Sequence, residues 1–412
     1  MTVSGRPGAA ALALASALAG APAALAAQGG ATADAGWTLR GYSLSLGAAT
    51  GSSPFSAGGG SLFERVRLML SPTLGPFDAD VAYDQTLLLR SGLDVTPAGA
   101  LLGGGSVGEG DWLPIQGTLL DGDHVRLAQR IDRLSLGWRA GSLDVRVGRQ
   151  PISWATTLLL TPADPFAPFD PSDPFREYRL GVDAARLSVA AGAFTELELV
   201  GRLTRGVGPG TARETTLAAR AKTTLGGVDL SAWGGWLYGD PAAALGADGT
   251  LAGSALRAEG ELRPAGHPGG IALRAAGGID RRFGLAGRDL HLALEYQHDD
   301  FGAASPDRLP AVLLSDAAAR GELQVLGRDV ALAQATWQAR PLLGVEAMVL
   351  ADLRDHSTLV APAISWSLSD EASLRAGAYL GLGDASSTPP GEPRSEFGPV
   401  PTTAYVALSV FF

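Results

Sequence analysis

Apolar and polar residues alternate along most of the chain with a period of two. From Leu217 to Leu225, small or apolar residues occupy nearly every second position, and Arg220 and Lys222 lie between them. Successive side chains of a β-strand point to opposite faces, so this pattern predicts strands with one apolar and one polar face. Gly226 and Gly227 follow, and they predict a tight turn into the next strand.

About 18 segments of this kind lie between Trp37 and Phe412, and an even number is typical of single-chain bacterial barrels; 16 strands is the alternative count. Charged residues recur on the polar face of strand after strand. A soluble sandwich or propeller would have to bury that face, at a cost of several kcal/mol for each unpaired charge. The pattern therefore predicts an all-β fold, a transmembrane antiparallel up-and-down β-barrel of about 18 strands with lipid outside and water inside.

The predicted connections between strands differ in length, and most of the long ones fall on one side of the barrel. Long connections are predicted at 48–61, 91–123, 150–181, 239–253 and 383–402. In bacterial barrels the long connections face outward and the short turns face the periplasm. The stretch 299–316 breaks this rule, because it falls among the short turns and requires either a long periplasmic turn or a different strand count.

The two ends of the chain predict an exported protein. Residues 1–26 form a predicted signal peptide, with Arg6, an alanine- and leucine-rich run and an Ala-Leu-Ala cleavage triplet. The mature chain, 27–412, is then a single barrel domain in the outer membrane of a Gram-negative cell. Its last strand ends at Phe412, and a closing aromatic residue is typical of strands that the barrel assembly machinery recognises. This machinery and the outer-membrane lipid are the predicted macromolecular and lipid partners.

Composition and charge exclude several other functions. The chain has no cysteine, which removes disulfides and cysteine-ligated metals. Its formal charge is −10 without a basic block, and nucleic acid is therefore not a predicted partner. The five histidines lie in no metal motif, and no nucleophile elbow or phosphate-binding loop is present. We predict no cofactor, no metal and no enzymatic activity; a hydrolase of the barrel wall needs no sequence motif and stays an alternative.

The segment 161–175 contains five prolines and three aspartates, Asp164, Asp170 and Asp173. Proline fixes φ and donates no backbone hydrogen bond, so the segment is stiff and cannot form another strand. The aspartates stand beside the prolines, where their carboxylates accept backbone N–H bonds in turns. Three interpretations fit this pattern: a rigid surface loop, a loop folded into the lumen as a constriction, and a calcium site.

Two segments around this loop resemble a known family. The first is Val147–Trp154, VGRQPISW, and the second is Arg176–Leu187, REYRLGVDAARL. A strand that ends in Gly-Arg-Gln, a long loop, and a next strand that begins with glycine or aspartate and an arginine are similar to the alginate-export and related porin-like outer-membrane barrels. The resemblance implies a barrel of about 18 strands with an arginine-lined pore for an anionic solute.

Arginines and carboxylates mix on the predicted inner face, which favours a general channel for the passive passage of small polar or anionic solutes. Selection would depend on pore width and on charges facing each other across a constriction. The residues predicted to line the pore or its constriction are Arg146, Arg149, Arg186, Arg220, Lys222, Arg257, Arg274, Asp164, Asp170 and Asp173. All the arginines except Arg274 are predicted to face the three aspartates. The alternative function is a surface scaffold or polymer-export barrel with a plugged lumen.

Overall fold

The structure of the protein is a computed structural model that describes residues 37–55, 57–91, 110–166, 175, 178–205, 214–264, 270–385 and 392–412. These residues form 19 strands and three short helical segments. The first ten strands are β1 Trp37–Thr50, β2 Gly59–Leu74, β3 Phe77–Arg90, β4 Gln116–Gly122, β5 Val125–Ala140, β6 Leu143–Gln150, β7 Val182–Ala190, β8 Thr195–Thr204, β9 Glu214–Leu225 and β10 Val228–Leu237. The other nine are β11 Asp240–Leu251, β12 Ser254–Pro264, β13 Ile271–Leu285, β14 Arg288–Asp299, β15 Asp329–Arg340, β16 Leu343–Asp352, β17 Thr358–Ser367, β18 Ala372–Leu382 and β19 Thr403–Phe411.

The strands form one closed antiparallel sheet. β1 pairs with β2 on one side and with β19 on the other, so the first and last strands join. β3 pairs directly with β5, and the short β4 is an additional strand that also pairs with β5. The ring therefore has 18 strands. This confirms the barrel predicted from the alternation and removes the alternative count of 16.

One predicted connection is wrong. Residues 239–253 are mostly strand β11, which joins β10 and β12 through two tight turns. Each turn contains a glycine at positive φ, Gly239 and Gly253. Alanine and glycine fill much of β11, so its two faces differ little in hydrophobicity and the period of two is hidden. Once β11 is counted as a strand, 299–316 falls on the side of the long connections and the exception disappears.

The two faces of the wall differ as the alternation predicts. On β14, Leu294 is 57% exposed on the outer face, whereas the next residue, Glu295, is 6% exposed on the inner face. On β19, Val406 and Leu408 are exposed outward and Tyr405 is buried inside. An outer surface of leucine, isoleucine and valine suits a lipid environment. The backbone groups of a closed barrel are also paired within the sheet, so they are not exposed unpaired to lipid.

Three long connections fold into the barrel and pack on part of its inner face. The described parts of these connections are 151–166 with 175 and 178–181, 300–328, and 383–385 with 392–402. Tyr42, Leu44 and Leu46 of β1 belong to one buried cluster with Leu160 and Phe397, which come from two of the connections. The interior is therefore drier than the uniformly polar lumen that the alternation predicts. The inner face of β1 is apolar because it packs against chain that is folded inside.

The connection 300–328 contains the helical segments, a 3-10 helix at Pro306–Arg308, α1 at Leu309–Leu313 and α2 at Asp316–Ala319. Ser315 caps α2, since its side chain accepts a hydrogen bond from the backbone N–H of Ala318 at 3.2 Å. Within the residues that the structure covers, no helix has the length and apolarity needed to cross a bilayer.

The last residue continues the pairing that closes the barrel. The Phe412 N–H donates to the Gly41 carbonyl at 2.9 Å, and the Gly41 N–H donates to the Phe412 carbonyl at 2.7 Å. The Phe412 ring lies over Gly41, where an added Cβ would come within 2.5 Å of it. Glycine is thus required for this close approach. Recognition of Phe412 by the assembly machinery stays a prediction.

Candidate functional site

The inward loop, residues 151–166, leaves the end of β6 and crosses the inside of the barrel. Its first anchor is Glu259 on β12. The backbone N–H groups of Thr156 and Thr157 donate to Glu259 Oε2 at 2.6 and 3.1 Å, and the N–H of Ala163 donates to Oε1 at 3.1 Å. One carboxylate therefore binds both limbs of the loop. Glu259 is buried, so water competes little for these hydrogen bonds.

The second anchor is Glu295 on β14. Its Oε1 accepts a hydrogen bond from the N–H of Leu158 at 2.7 Å. Its Oε2 accepts from the N–H groups of Leu159 and Leu160 at 2.9 and 2.7 Å. Along the ring of 18 strands, β14 lies eight strands from β6, close to the greatest separation that the ring allows. The tip of the inward loop therefore reaches the opposite wall.

The returning limb of the loop is held by Asp164, which is buried. Asp164 Oδ2 accepts a hydrogen bond from Ser153 Oγ at 2.7 Å and pairs with Arg179 at 3.0 Å. Asp164 Oδ1 accepts from the backbone N–H groups of Trp154 and Phe166, both at 3.3 Å. These contacts are turn chemistry of the kind expected beside proline. Among the described ion pairs, the cation opposite this carboxylate is Arg179.

Trp154 places the inward loop against the wall. Its ring packs edge-on against Phe166, with centroids 4.8 Å apart, and lies 6.0 Å from the Trp233 ring of β10. The Arg220 guanidinium lies 5.4 Å from the centroid of Trp154 and pairs with Glu198 at 2.5 Å. A cation over a tryptophan face is attracted by the ring quadrupole. Arg220 is thus the predicted arginine that lies directly beside the loop.

Arg186 and Arg257 lie on the inner face and are partly exposed. Arg186 lies 3.9 Å from Asp144. Arg257 pairs with Asp280 on β13 and, at 3.1 Å, with Asp248 on β11. Each arginine is thus matched by a carboxylate of a neighbouring strand, and the inner wall presents pairs of opposite charge rather than one positive surface.

Arg146 and Lys222 lie nearer the short-turn end of the barrel. Arg146 of β6 pairs with Asp78 of β3, and β5 lies between these two strands. Lys222 lies 3.2 Å from Asp229. A recess at this end is lined by Arg139, Asp144, Ser188, Glu196, Lys222 and Asp229. The short-turn mouth of the barrel is therefore polar and contains charges of both signs.

Arg149 is fully buried in the wall. Its Nε and Nη2 donate to the two oxygens of Asp183 at 2.8 and 2.7 Å, and Nη2 also donates to the Leu113 carbonyl at 2.8 Å. Its Nη1 lies 3.2 Å from Asp111. The segment 110–116 continues the wall where β6 and β7 are short, because Asp111 forms a bridge with the end of β8 and β4 pairs with β5. Arg149 joins this segment to the sheet.

Arg274 is also buried, in a network that holds the connection 300–328. Its guanidinium pairs with Asp299 at 2.9 Å and donates to the Glu322 carbonyl at 2.8 Å. It also lies 5.3 Å from the centre of the Phe301 ring. The network therefore joins β13 and β14 to the folded-in connection.

The predicted site residues thus occupy three different environments. Arg220 and Asp164 are at the inward loop, Arg149 and Arg274 are in buried networks, and the other described residues are paired on the inner face. Asp170 and Asp173 lie outside the described residues. That this set selects solutes stays a prediction.

Sequence reasoning missed the role of Glu259 and Glu295. Both stand at ordinary inner-face positions, and their partners lie 103 and 137 residues away in the chain. A weak signal exists in the loop itself, since residues 151–163 contain no charged side chain. The backbone N–H groups of such a segment need acceptors elsewhere once they are buried.

The connection 392–402 is attached to 300–328 through Glu396. Glu396 Oε1 accepts from the N–H of Leu326 at 2.7 Å, and Oε2 accepts from the N–H of Gly327 at 2.8 Å. Burial, with the nearby charge of Asp352 as a further cause, raises the pKa of Glu396 to about 8. The carboxyl group therefore binds its proton more tightly in the folded connection than in an unfolded one.

We expect this attachment to weaken as the pH rises. Because the pKa of Glu396 is raised in the folded connection, its protonated carboxyl stabilises that connection fully below pH 4.5, the ordinary pKa of the group. This contribution to stability is lost as the pH rises to about 8. The chain has no cysteine, so an Arg394→Cys variant takes a single spin label on this connection. The label should become more mobile between pH 5 and pH 9, and Glu396→Gln should remove the change. Equal mobility at both pH values would contradict the expectation.

Comparison with solved structures finds other outer-membrane β-barrels. A BenF-like porin from Pseudomonas fluorescens Pf-5 matches over 92% of this chain and 98% of its own, with a TM-score of 0.55 and 11% identity. Pseudomonas aeruginosa OccK2 (OpdF), in complex with glucuronate, matches over 91% and 98%, with a TM-score of 0.53 and 13% identity. Wzi, an outer-membrane protein of Escherichia coli involved in group 1 capsule assembly and a carbohydrate-binding β-barrel, matches over 95% and 87%, with a TM-score of 0.51 and 9% identity.

No protein-family model matches the chain, and no curated protein matches it in sequence. The resemblance to the alginate-export family is therefore not confirmed. At identities of 9–13% the structural likeness shows the fold, a closed outer-membrane-type β-barrel. The residues inside that barrel must support any statement about function.

Proposed function

We propose that the chain forms a porin-like channel in the outer membrane, for passive passage of small polar or anionic solutes. The observation that supports this most is the inner wall, on which paired arginines and carboxylates line a closed barrel whose outer face is apolar. Many of these charges are partly exposed, and holding them inside a barrel without water would be energetically costly. The inner face is therefore expected to be in contact with water. The porins among the structural neighbours are consistent with this proposal.

In the proposed mechanism the inward loop narrows the lumen and the wall charges select. The loop spans from β6 to β14 and is stiff, because its backbone is bound to two buried carboxylates. Arg220 and Arg257 lie on β9 and β12, and carboxylates stand beside them on neighbouring strands. A polar solute that passes would exchange some of its hydration shell for these groups, and the local field would orient its dipole.

Single-channel recording tests the proposal. The refolded chain in a planar bilayer should give discrete conductance steps, and a small organic anion added on one side should reduce the current as it enters the lumen. A preparation that is folded and inserted but gives no steps would contradict the channel function and would favour a plugged barrel.

Neutralising Arg220, which lies beside the inward loop, and Arg257, on the inner face of β12, should make the channel more selective for cations. In the variant Arg220→Gln/Arg257→Gln, the carboxylate of Glu198 keeps its charge without Arg220, and the partners of Arg257 keep theirs. The reversal potential in a salt gradient should shift toward that of the cation. Arg308→Gln, an exposed side chain of the connection 300–328, is the control and should leave the potential unchanged. An unchanged potential in the double variant would contradict the assignment.

A plugged surface scaffold or assembly barrel is the second candidate. The observation that favours it is the apolar packing of folded-in chain inside the barrel, in which Leu160, Val325 and Phe397 are buried against the wall. Wzi shows that a barrel of similar fold binds carbohydrate. Negligible conductance together with retention on a polysaccharide column would support this function over the channel.

The names of the solved barrels above describe a porin, a barrel in complex with glucuronate and a carbohydrate-binding barrel involved in capsule assembly, and none of the three names describes an enzyme. Within the part of the chain that the structure describes, no group of three or more His, Asp and Glu side chains is arranged to hold a metal ion. We therefore propose no hydrolytic role, and loss of lipid or peptide on incubation with the purified barrel would contradict this.

A further inference from the structure

Two adjacent hairpins at the short-turn end are rich in arginine, although the whole chain has a net charge of −10. The first hairpin is residues 281–290, between β13 and β14, and the second is 338–343, between β15 and β16. Together they contain four arginines and one aspartate, a net charge of +3. Another short turn, 368–371, contains Asp370 and Glu371 and no basic residue. The positive charge is therefore concentrated in one sector of the barrel end.

Three of these arginines, Arg281, Arg288 and Arg340, lie on the outer face. Arg281 shares its face of β13 with Ile279, because the two are separated by two positions. Its guanidinium lies 5.4 Å from the centre of the Phe283 ring, on the same face. Phe283 is 42% exposed, so this arginine and ring are together at the surface.

Strand register places the other two arginines beside each other. On β14, Arg288 is two positions from Leu290, whose partner on β15 is Trp337. On β15, a register shift between Gln338 and Arg340 brings Arg340 opposite Leu343. Leu343 shares its face of β16 with Val345, which is exposed on the outer face of the barrel. Adjacent strands are about 5 Å apart, so the two guanidinium groups extend past the same edge of the sheet.

Within the described part of the chain, no carboxylate neutralises the three guanidinium groups. Among the described residues, no carboxylate lies within 4.0 Å of Arg281, Arg288 or Arg340. Five arginines of the inner face, in contrast, have carboxylate partners: Arg146, Arg186, Arg220, Arg257 and Arg274. All three are exposed. Exposed apolar side chains, Leu285 and Leu342, stand beside them in the same hairpins. The patch is thus cationic at its edge and apolar next to it.

We propose that this patch binds anionic phospholipid of the periplasmic leaflet, with lipid phosphates on the three arginines and acyl chains on the apolar wall above. Short turns face the periplasm in bacterial barrels, which places the patch at the headgroups of that leaflet. Guanidinium groups bind phosphate oxygens in a bidentate manner, and aromatic and aliphatic side chains at this depth suit the interface. The proposal concerns the outer face and does not depend on conduction through the lumen.

Native mass spectrometry of the full chain in detergent tests this, with phosphatidylglycerol as the probe and phosphatidylethanolamine as the zwitterionic comparison. The variant Arg281→Gln/Arg288→Gln/Arg340→Gln should bind phosphatidylglycerol more weakly, about fivefold for each arginine and on the order of 100-fold in all. Binding of phosphatidylethanolamine should change little.

Two further variants keep the test specific. Arg281→Lys/Arg288→Lys/Arg340→Lys retains the charge and should retain most of the binding. Arg139→Gln/Arg308→Gln/Arg394→Gln makes the same change of charge at exposed positions elsewhere and should bind like the parent. The proposal is overturned if the first variant binds phosphatidylglycerol like the parent, if the control loses as much binding, or if the lysine variant loses all of it. Heat-modified migration on a gel confirms that each variant is a folded barrel.

Discussion

Replacing both anchors of the inward loop, in Glu259→Gln/Glu295→Gln, should increase the single-channel conductance severalfold relative to the parent. Six backbone N–H groups of the loop donate to these two carboxylates. A glutamine offers one acceptor oxygen, and its amide nitrogen would face donors. A hydrogen bond to a charged acceptor contributes about 1.5–3 kcal/mol, so the loss of several should release the loop from the opposite wall.

A charge-matched control separates release of the loop from a change in lumen charge. Asp80→Asn/Glu346→Gln also removes two carboxylates from the inner face, and among the described contacts neither residue touches the loop. It should alter selectivity slightly and leave the conductance near that of the parent. A spin label on Leu158→Cys in each background reports the mobility of the loop directly. If the anchor variant keeps both the parental conductance and the parental mobility of the label, the loop is not held by these carboxylates.

Loss of the Arg149 side chain should be the most destabilising single change in the wall. Arg149→Met leaves Asp183 without its buried cation and the carbonyl of Leu113 without its donor, and Asp111 keeps only Arg130 among its described ion pairs. Breaking a buried pair by removing one partner costs about 3–5 kcal/mol. Arg149→Lys keeps the charge but cannot bind the carboxylate with two parallel hydrogen bonds. Its stability should therefore lie between that of Arg149→Met and that of the parent.

The urea midpoint of the refolded barrel in detergent measures this loss. Arg139→Met is the control, because Arg139 is 68% exposed in its pair with Asp144. The double variant Arg149→Met/Asp183→Asn should recover part of the stability, since asparagine still accepts from the Leu113 N–H and no longer buries an unpaired charge. An Arg149→Met midpoint equal to that of the control would show that the pair does not stabilise the wall.

Most of the fold could be predicted from local sequence, but strand β11 could not. Leu294 and Glu295 differ strongly in polarity, so β14 could be assigned with its faces. In β11, Ala242, Ala243, Ala244 and Gly246 are small, and Leu245 alone does not mark one face as apolar. The strand forms because two neighbouring strands offer it hydrogen bonds, which is information from outside the segment.

The candidate site was predictable only in its parts. The prolines and aspartates of 161–175 indicated a stiff turn, and Asp164 does bind backbone N–H groups of the loop. The expectation that this aspartate faces the five predicted arginines, Arg146, Arg149, Arg186, Arg220 and Arg257, depended on distances across the barrel. In the structure its described cation is Arg179. Arg149, predicted to line the pore, is in the wall because 110–116 covers it.

The sequence by itself determined the all-β class, most of the strands and their faces, because a period of two is a local property that each of these strands shows alone. Only the tertiary structure decided which charges are exposed in the lumen, which are buried in the wall, and which bind the inward loop. The reason is that residues such as Thr156 and Glu259 meet only after the barrel closes, and their energies depend on burial and on partners more than a hundred residues away.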